Sequence, residues 1–147
     1  MVLQHDTLDS FYRYPQGSLT AGAQVRLRVA VSDGDSSADR VDLRVWDGEE
    51  HRFPMRLLGA REGKRYYEAQ VTVCDRPCLY WYRFEVQSKG LTYMLGAPHD
   101  HTGSGEGRMG SEESFQITVY DPDFSAPQWM CDGIMYQIMV EIGRAHV

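Results

Sequence analysis

The chain has 147 residues, enough for one domain with a packed core and too few for a complete (β/α)8 barrel of about 250. Its net charge is −6 and its pI is near 5.3, with no basic stripe, which argues against nucleic acid as a partner. The hydrophobic share is 42%, yet no run approaches the roughly 18 apolar residues of a membrane span, so no membrane partner is expected.

Residues 1–22 read as an irregular lead-in. Met1 to Ser10 carries Asp6 and Asp9 and lacks the apolar core of a signal peptide, which predicts a cytoplasmic protein. Pro15, Gly17 and Gly22 are turn residues. From Val25 the pattern becomes alternating: Val25, Leu27, Val29 and Val31 against Arg26, Arg28 and Ala30, a half-buried strand. The Asp- and Ser-rich stretch from Ser32 to Ala38 is a loop. Val41, Leu43 and Val45 alternate with Asp42, Arg44 and Trp46; Asp47-Gly48 marks a hairpin, and His51 to Leu57 is the returning strand.

Arg65 to Val73 places Tyr67, Ala69, Val71 and Val73 on one face and Tyr66, Glu68, Gln70 and Thr72 on the other. Leu79 to Gln87 sets Tyr80, Tyr82, Phe84 and Val86 against Trp81, Arg83 and Glu85. Between these strands, Cys74 and Cys78 bracket Asp75-Arg76-Pro77, a predicted hairpin loop across which the two thiols could face each other. An odd number of cysteines without an export signal favours reduced thiols. Lys89-Gly90 turns the chain into Leu91 to Leu95, a glycine-rich loop runs from Gly96 to Glu113, and Phe115, Ile117 and Val119 form a last strand that ends before Pro122.

Roughly seven short strands without helical periodicity predict an all-β, immunoglobulin-like antiparallel β-sandwich over residues 23–121. Residues 122–133 read as a linker. The almost wholly apolar run from Ile134 to Val140 suits a strand covered on both faces, the start of a second domain of which only this piece is expected. Residues 141–147 resemble an in-frame translation of a sequencing adapter and read as a non-native tail.

Trp129 followed by Ile134-Met135-Tyr136-Gln137-Ile138 resembles the start of the first barrel strand in the alpha-amylase superfamily, glycoside hydrolase family thirteen. Phe11-Tyr12-Arg13-Tyr14-Pro15-Gln16-Gly17 is similar to the opening of N-terminal modules in that superfamily. Val41-Asp42-Leu43-Arg44-Val45-Trp46, Leu79-Tyr80-Trp81-Tyr82-Arg83-Phe84 and Phe115 to Asp121 resemble their strands in order. The nearest resemblance is to neopullulanase-like and cyclomaltodextrinase-like members. It implies the N-terminal accessory domain of a hydrolase of α-glucosidic bonds, with its own catalytic barrel and an α-glucan as partners. A homodimer and a calcium ion stay open for the parent protein; no cofactor is specified by the residues themselves. A free-standing glucan-binding module and a structural immunoglobulin-like domain remain as alternatives.

Retaining glycosidases need two carboxyl groups about 5–5.5 Å apart, and in this superfamily both stand on later barrel strands. No catalytic residue is therefore assigned here, and Asp100, Glu106, Glu112 and Glu113 read as solvated loop acids. The notable residues are aromatics on polar strand faces: Trp46, Tyr66, Trp81 and Tyr120. They suit a docking face for the barrel, a platform for glucan rings, or scattered exposed aromatics. The loop carrying His99, Asp100, His101 and Glu106 is expected to rim the substrate cleft. His99-x-His101 with Asp100 offers too few ligands for a metal site.

Overall fold

A computed structural model describes residues 1–32, 38–99 and 105–137. In chain order the strands are β1 (Val2–Gln4), β2 (Arg13–Tyr14), β3 (Leu19–Thr20), β4 (Gln24–Ser32), β5 (Arg40–Trp46) and β6 (Glu50–Pro54), then β7 (Arg56–Arg61), β8 (Lys64–Thr72), β9 (Cys78–Ser88), β10 (Leu91–Gly96), β11 (Arg108–Met109) and β12 (Phe115–Tyr120). A single helical turn, α1 (Gln128–Cys131), lies inside the expected linker.

The strands form two sheets whose inner faces share one core. In the five-stranded sheet β4 is central: β8 covers one edge over its length, β1 and β2 share the other, and β7 lies outside β8. In the seven-stranded sheet β9 is central, with β5 and then β6 on one edge, and β10 and β12 sharing the other. Alternation explains both. Val25, Leu27, Val29 and Val31 of β4 and Tyr80, Tyr82, Phe84 and Val86 of β9 are all buried, as their spacing requires. All pairings are antiparallel except β12 with β3, where Val119 and Tyr120 run alongside Leu19 and Thr20.

The all-β sandwich is as expected, but twelve strands replace roughly seven. The additions β1, β2, β3 and β11 are two or three residues long, below the length at which alternation is visible. The expected strand from His51 to Leu57 is two: the chain bends at buried Met55, leaving the seven-stranded sheet after Pro54 and joining the five-stranded sheet at Arg56.

The Cys74 to Cys78 turn is also corrected. It is no hairpin, because β8 and β9 belong to opposite sheets and the turn carries the chain across the sandwich. Nor are the thiols reduced: Cys74 and Cys78 form a disulfide, their Cα atoms 6.8 Å apart, within bridging reach because the crossover folds tightly. Cys131 is free and exposed. In the expected barrel strand, Ile134–Gln137 forms no strand and Ile134, Met135 and Tyr136 are exposed. A strand needs neighbours to bond its backbone, and none of the described residues pairs with it. Residues 138–140 of that run, and the expected tail 141–147, lie outside the described residues.

The lead-in is ordered and tied into the core by His5, which is 1% exposed. Its Nδ1–H donates to the Arg28 carbonyl of β4 at 2.7 Å, and the Tyr82 hydroxyl of β9 donates to Nε2 at 3.0 Å. This tautomer satisfies both ring nitrogens with the imidazole neutral. The ring packs against Phe84 and Phe115 with centroids 4.7 and 4.9 Å away. Burial lowers the pKa to about 4, and the charge of Arg13 pushes the same way against the Arg28 bond. Burial likewise pushes the Tyr82 hydroxyl far up, opposed by the Arg13 guanidinium that bonds it.

Because the folded pKa lies below the unfolded value of 6.5, this stabilisation is complete above pH 6.5 and is lost as pH falls towards 4. The stability advantage of the wild type over His5→Leu, from urea melts at successive pH values, should shrink by roughly 3 kcal/mol across that window. Removing the disulfide with Cys74→Ser and Cys78→Ser, which opens a loop of only a few residues, should lower stability by about 2 kcal/mol in the same assay.

Candidate functional site

The outer face of the seven-stranded sheet brings two of the sequence-derived aromatics together. Trp46 of β5 and Trp81 of β9 are direct register partners, flanked in the same row by Glu50 of β6 and Gln116 of β12. Facing pairs in antiparallel sheets hold their Cβ atoms about 4.5–5.5 Å apart, so the two indoles share one patch. Trp46 is 45% exposed and Trp81 is half-buried. The next row holds Arg52, Arg44 and Arg83, which would repel one another if unpaired. Carboxylates answer them: Arg44 bonds Glu50 at 2.9 Å, Arg52 meets Glu50 at 3.2 Å and Glu85 at 3.5 Å, and Arg83 bonds Glu85 at 3.0 Å. Glu50 is held below the usual carboxylate range chiefly by its bond to Arg44. Three guanidiniums thus share two carboxylates, and each arginine beside the indoles meets an acidic partner.

Beside Trp81 a groove of about 630 Å³ opens between the lead-in and the loop that follows β10. Thr7, Arg13, Trp81, Pro98, Glu113 and Gln116 are among its walls. The loop is held there by its backbone. Thr7 N–H donates to the Gly105 carbonyl at 2.9 Å, Gly107 N–H donates to the His5 carbonyl at 2.8 Å, and Asp6 and Glu106 form a bridge between them. Ala97 N–H donates to the Glu113 carbonyl at 3.0 Å, and the Ser111 hydroxyl to the Ala97 carbonyl at 2.6 Å. Arg13 is buried at the groove floor, where its guanidinium donates to the Gly17 carbonyl at 2.5 Å and the Gln116 carbonyl at 3.4 Å.

The remaining sequence-derived residues are dispersed. Tyr66 belongs to β8, so it faces outward from the opposite sheet. There it packs edge-on to Phe11 at 5.4 Å, with the Arg28 guanidinium 4.7 Å from the Phe11 ring. Tyr120 sits at the end of β12, two same-face positions beyond Gln116 and past the end of the β9 ladder. His99 Nδ1 lies 2.5 Å from the Glu113 carboxylate, which places it at the groove rim. Glu106 is exposed and contributes its backbone. Asp100 and His101 lie outside the described residues. Among the described residues no group of three His, Cys, Asp or Glu could hold a metal, and no helix is long and apolar enough to cross a membrane. Thr7, Arg13 and Gln116 had no assigned role in the sequence; Arg13 stands in a two-residue strand that periodicity cannot register.

No family model matches the chain. It is 32% identical over 142 residues to the amylopullulanase of Thermoanaerobacterium thermosulfurigenes, covering 92% of this chain and 8% of that protein. It is 31% identical to the amylopullulanase of Thermoanaerobacter thermohydrosulfuricus and 32% identical to that of Thermoanaerobacterium saccharolyticum, again over 92% of this chain and over 9% and 11% of theirs. These matches support an N-terminal domain of a glycoside hydrolase family thirteen enzyme. A solved cyclomaltodextrinase shares its fold, with a TM-score of 0.58 at 19% identity over 90% of this chain and 22% of that one. The chain spans about a tenth of the length of the curated relatives it matches.

The groove wall depends on Gly96. A Cβ there would overlap the Glu113 carbonyl oxygen and press within 2.9 Å of the Ser111 carbonyl, both backbone atoms that cannot swing aside. Gly96→Ala should therefore destabilise the domain by roughly 1–3 kcal/mol, and thermal melts should show it, while Gly110→Ala, with open space around it, should be limited to the strain of its positive φ.

Proposed function

We propose that this chain is the accessory domain of an α-glucan-hydrolysing enzyme and positions or extends the substrate cleft of a catalytic barrel. The relatives are named amylopullulanase and the structural neighbour cyclomaltodextrinase, names that concern α-glucans. The observation that carries the role is the Trp46–Trp81 pair on the outer sheet face. An indole pair, Trp46 exposed and Trp81 half-buried, marks a candidate contact surface, and each arginine beside it meets a carboxylate. An aromatic patch whose neighbouring guanidiniums are all paired suits an uncharged partner, whether the packed surface of a barrel or the apolar face of a pyranose. Docking of the barrel is the leading use, since contacts between domains of one chain are the ordinary destination of such a face.

The test is Trp46→Ala and Trp81→Ala in a protein that contains both this domain and its barrel. Losing a docked or ring-stacked indole should lower kcat/KM on pullulan or amylose by about tenfold, equivalent to ~1.4 kcal/mol, with a smaller loss on maltotriose. Unchanged kinetics on both long and short substrates would reject the accessory role for this face. A free-standing glucan-binding module is the second reading, and the groove beside Trp81 is the observation that favours it.

A further inference from the structure

At the end of the sandwich where β12 stops, two hollows meet. The outer one, about 370 Å³, lies between the Asp47-Gly48 turn that joins β5 to β6 and the Cys74 to Cys78 crossover. The inner one, about 260 Å³, reaches between the sheets to Tyr80 of β9. Asp47, His51 and Cys74 line both. Register fixes the place: Cys78 pairs with Val119, the last rung between β9 and β12. Tyr80 is 2% exposed, and its hydroxyl has no hydrogen-bond partner among the described residues. Burial and then the charge of Asp47 push its pKa well up, so it stays a neutral hydroxyl within reach of that carboxylate's field. A buried hydroxyl left unpaired costs free energy, which a ligand can recover.

The walls decide the class of ligand. Val45, Phe53 and Val73 give the inner hollow apolar surface. At the mouth Asp47, Glu49 and Asp75 stand against one guanidinium, that of Arg76. Asp47 meets His51 at 3.5 Å, a contact that is ionic only with the imidazole protonated. An anion would face more carboxylates than a single guanidinium offsets. A wholly apolar ligand would leave the hydroxyl and the carboxylate without partners. A short alkyl chain ending in an ammonium serves both ends, its methylenes on the apolar walls and its N–H groups on the oxygens. We propose that these joined hollows bind a primary alkylammonium group, its nitrogen donating to the Asp47 carboxylate and the Tyr80 hydroxyl and its methylenes lying on Phe53 and Val73. The inner hollow is smaller than the roughly 300–1,000 Å³ of sites for drug-sized ligands, which limits the ligand to a short chain. The Tyr80 oxygen is shielded from water, so binding moves a side chain of the rim, and the exposed His51 ring is placed to do so. The ammonium can belong to a free amine or to a lysine side chain of a body that follows β12, whose end lies beside the crossover.

The full chain should be titrated with n-butylammonium at pH 8, where an ordinary imidazole is neutral, following the 15N-resolved amide signals of Gly48 and Asp75. n-Butanol and butyrate, at matched ionic strength, are the neutral and anionic controls. Saturable millimolar binding of n-butylammonium that moves both signals, with no such response to either control, is the expected result. Asp47→Asn and Tyr80→Phe should each weaken it by up to about tenfold. Tyr80→Phe should melt no lower than the wild type, because the hydroxyl it removes has no partner. Glu62→Gln, which takes an equal charge from the turn between β7 and β8, should bind as the wild type does. No saturable response to n-butylammonium would overturn the site, and an equal response to n-butanol would overturn recognition of the ammonium. Weakening by Asp47→Asn with none by Tyr80→Phe would leave surface carboxylates alone and overturn the buried contact. The same titration of a barrel-containing protein separates the two sources: binding lost there assigns the site to a lysine side chain of the following body, and binding kept assigns it to a free amine.

Discussion

A neutral imidazole in the middle of the sandwich holds the amino-terminal segment against both sheets. His5 donates to a carbonyl of β4 and accepts from a hydroxyl of β9, so a single side chain spans the two layers. The arrangement works only while the ring is uncharged. A second proton would place a cation beside Arg13 in an apolar surround of Tyr12, Phe84 and Phe115, and would turn Nε2 from acceptor to donor. Everything that follows in the segment inherits this anchoring. Thr7 and Gly105 are bonded two residues beyond the imidazole, and the His5 carbonyl itself accepts from Gly107. The groove therefore exists because a core contact places one of its walls.

The two outer faces of the sandwich have been solved differently. On the five-stranded sheet the lead-in lies over the strands, with Arg28 and Arg26 set against the Phe11 and Tyr14 rings, so the aromatics there are partly spent on the domain's own covering. On the seven-stranded sheet no segment of the described chain lies over Trp46, and the charged neighbours are paired among themselves. This asymmetry, rather than the number of exposed aromatics, singles out one face. It also separates Tyr66 from the two tryptophans, although all three stand on polar positions of alternating strands.

Most of the fold was legible because long strands write their burial into the sequence with period two. β4, β5, β8, β9 and β12 stand within a residue or two of where alternation placed them, and their inward faces are the expected ones. What alternation cannot convey is which sheet a strand joins. Short turns between strands ordinarily connect neighbours, as the sequence predicts for Cys74 to Cys78, whereas here the turn crosses the sandwich. The bend at Met55 was hidden for the same reason: residues on either side continue to look like one strand while their partners change. The candidate site was half legible. Trp46 and Trp81 could be read from parity, but their adjacency needs the β5–β9 register. Thr7 and Arg13 act through single long-range contacts that leave no periodic trace.

The parallel pair of β3 and β12 fixes where the domain's last strand ends. Any body carried after Asp121 is joined to the end of β12, beside Thr20. β12 is a stiff rod of six residues, about 20 Å long, and its far end carries Phe115 against His5 and Gln116 in the groove. The exit of the domain at Tyr120 and the wall of the groove at Gln116 thus belong to one continuous strand, paired with β9 from Phe115 to Val119.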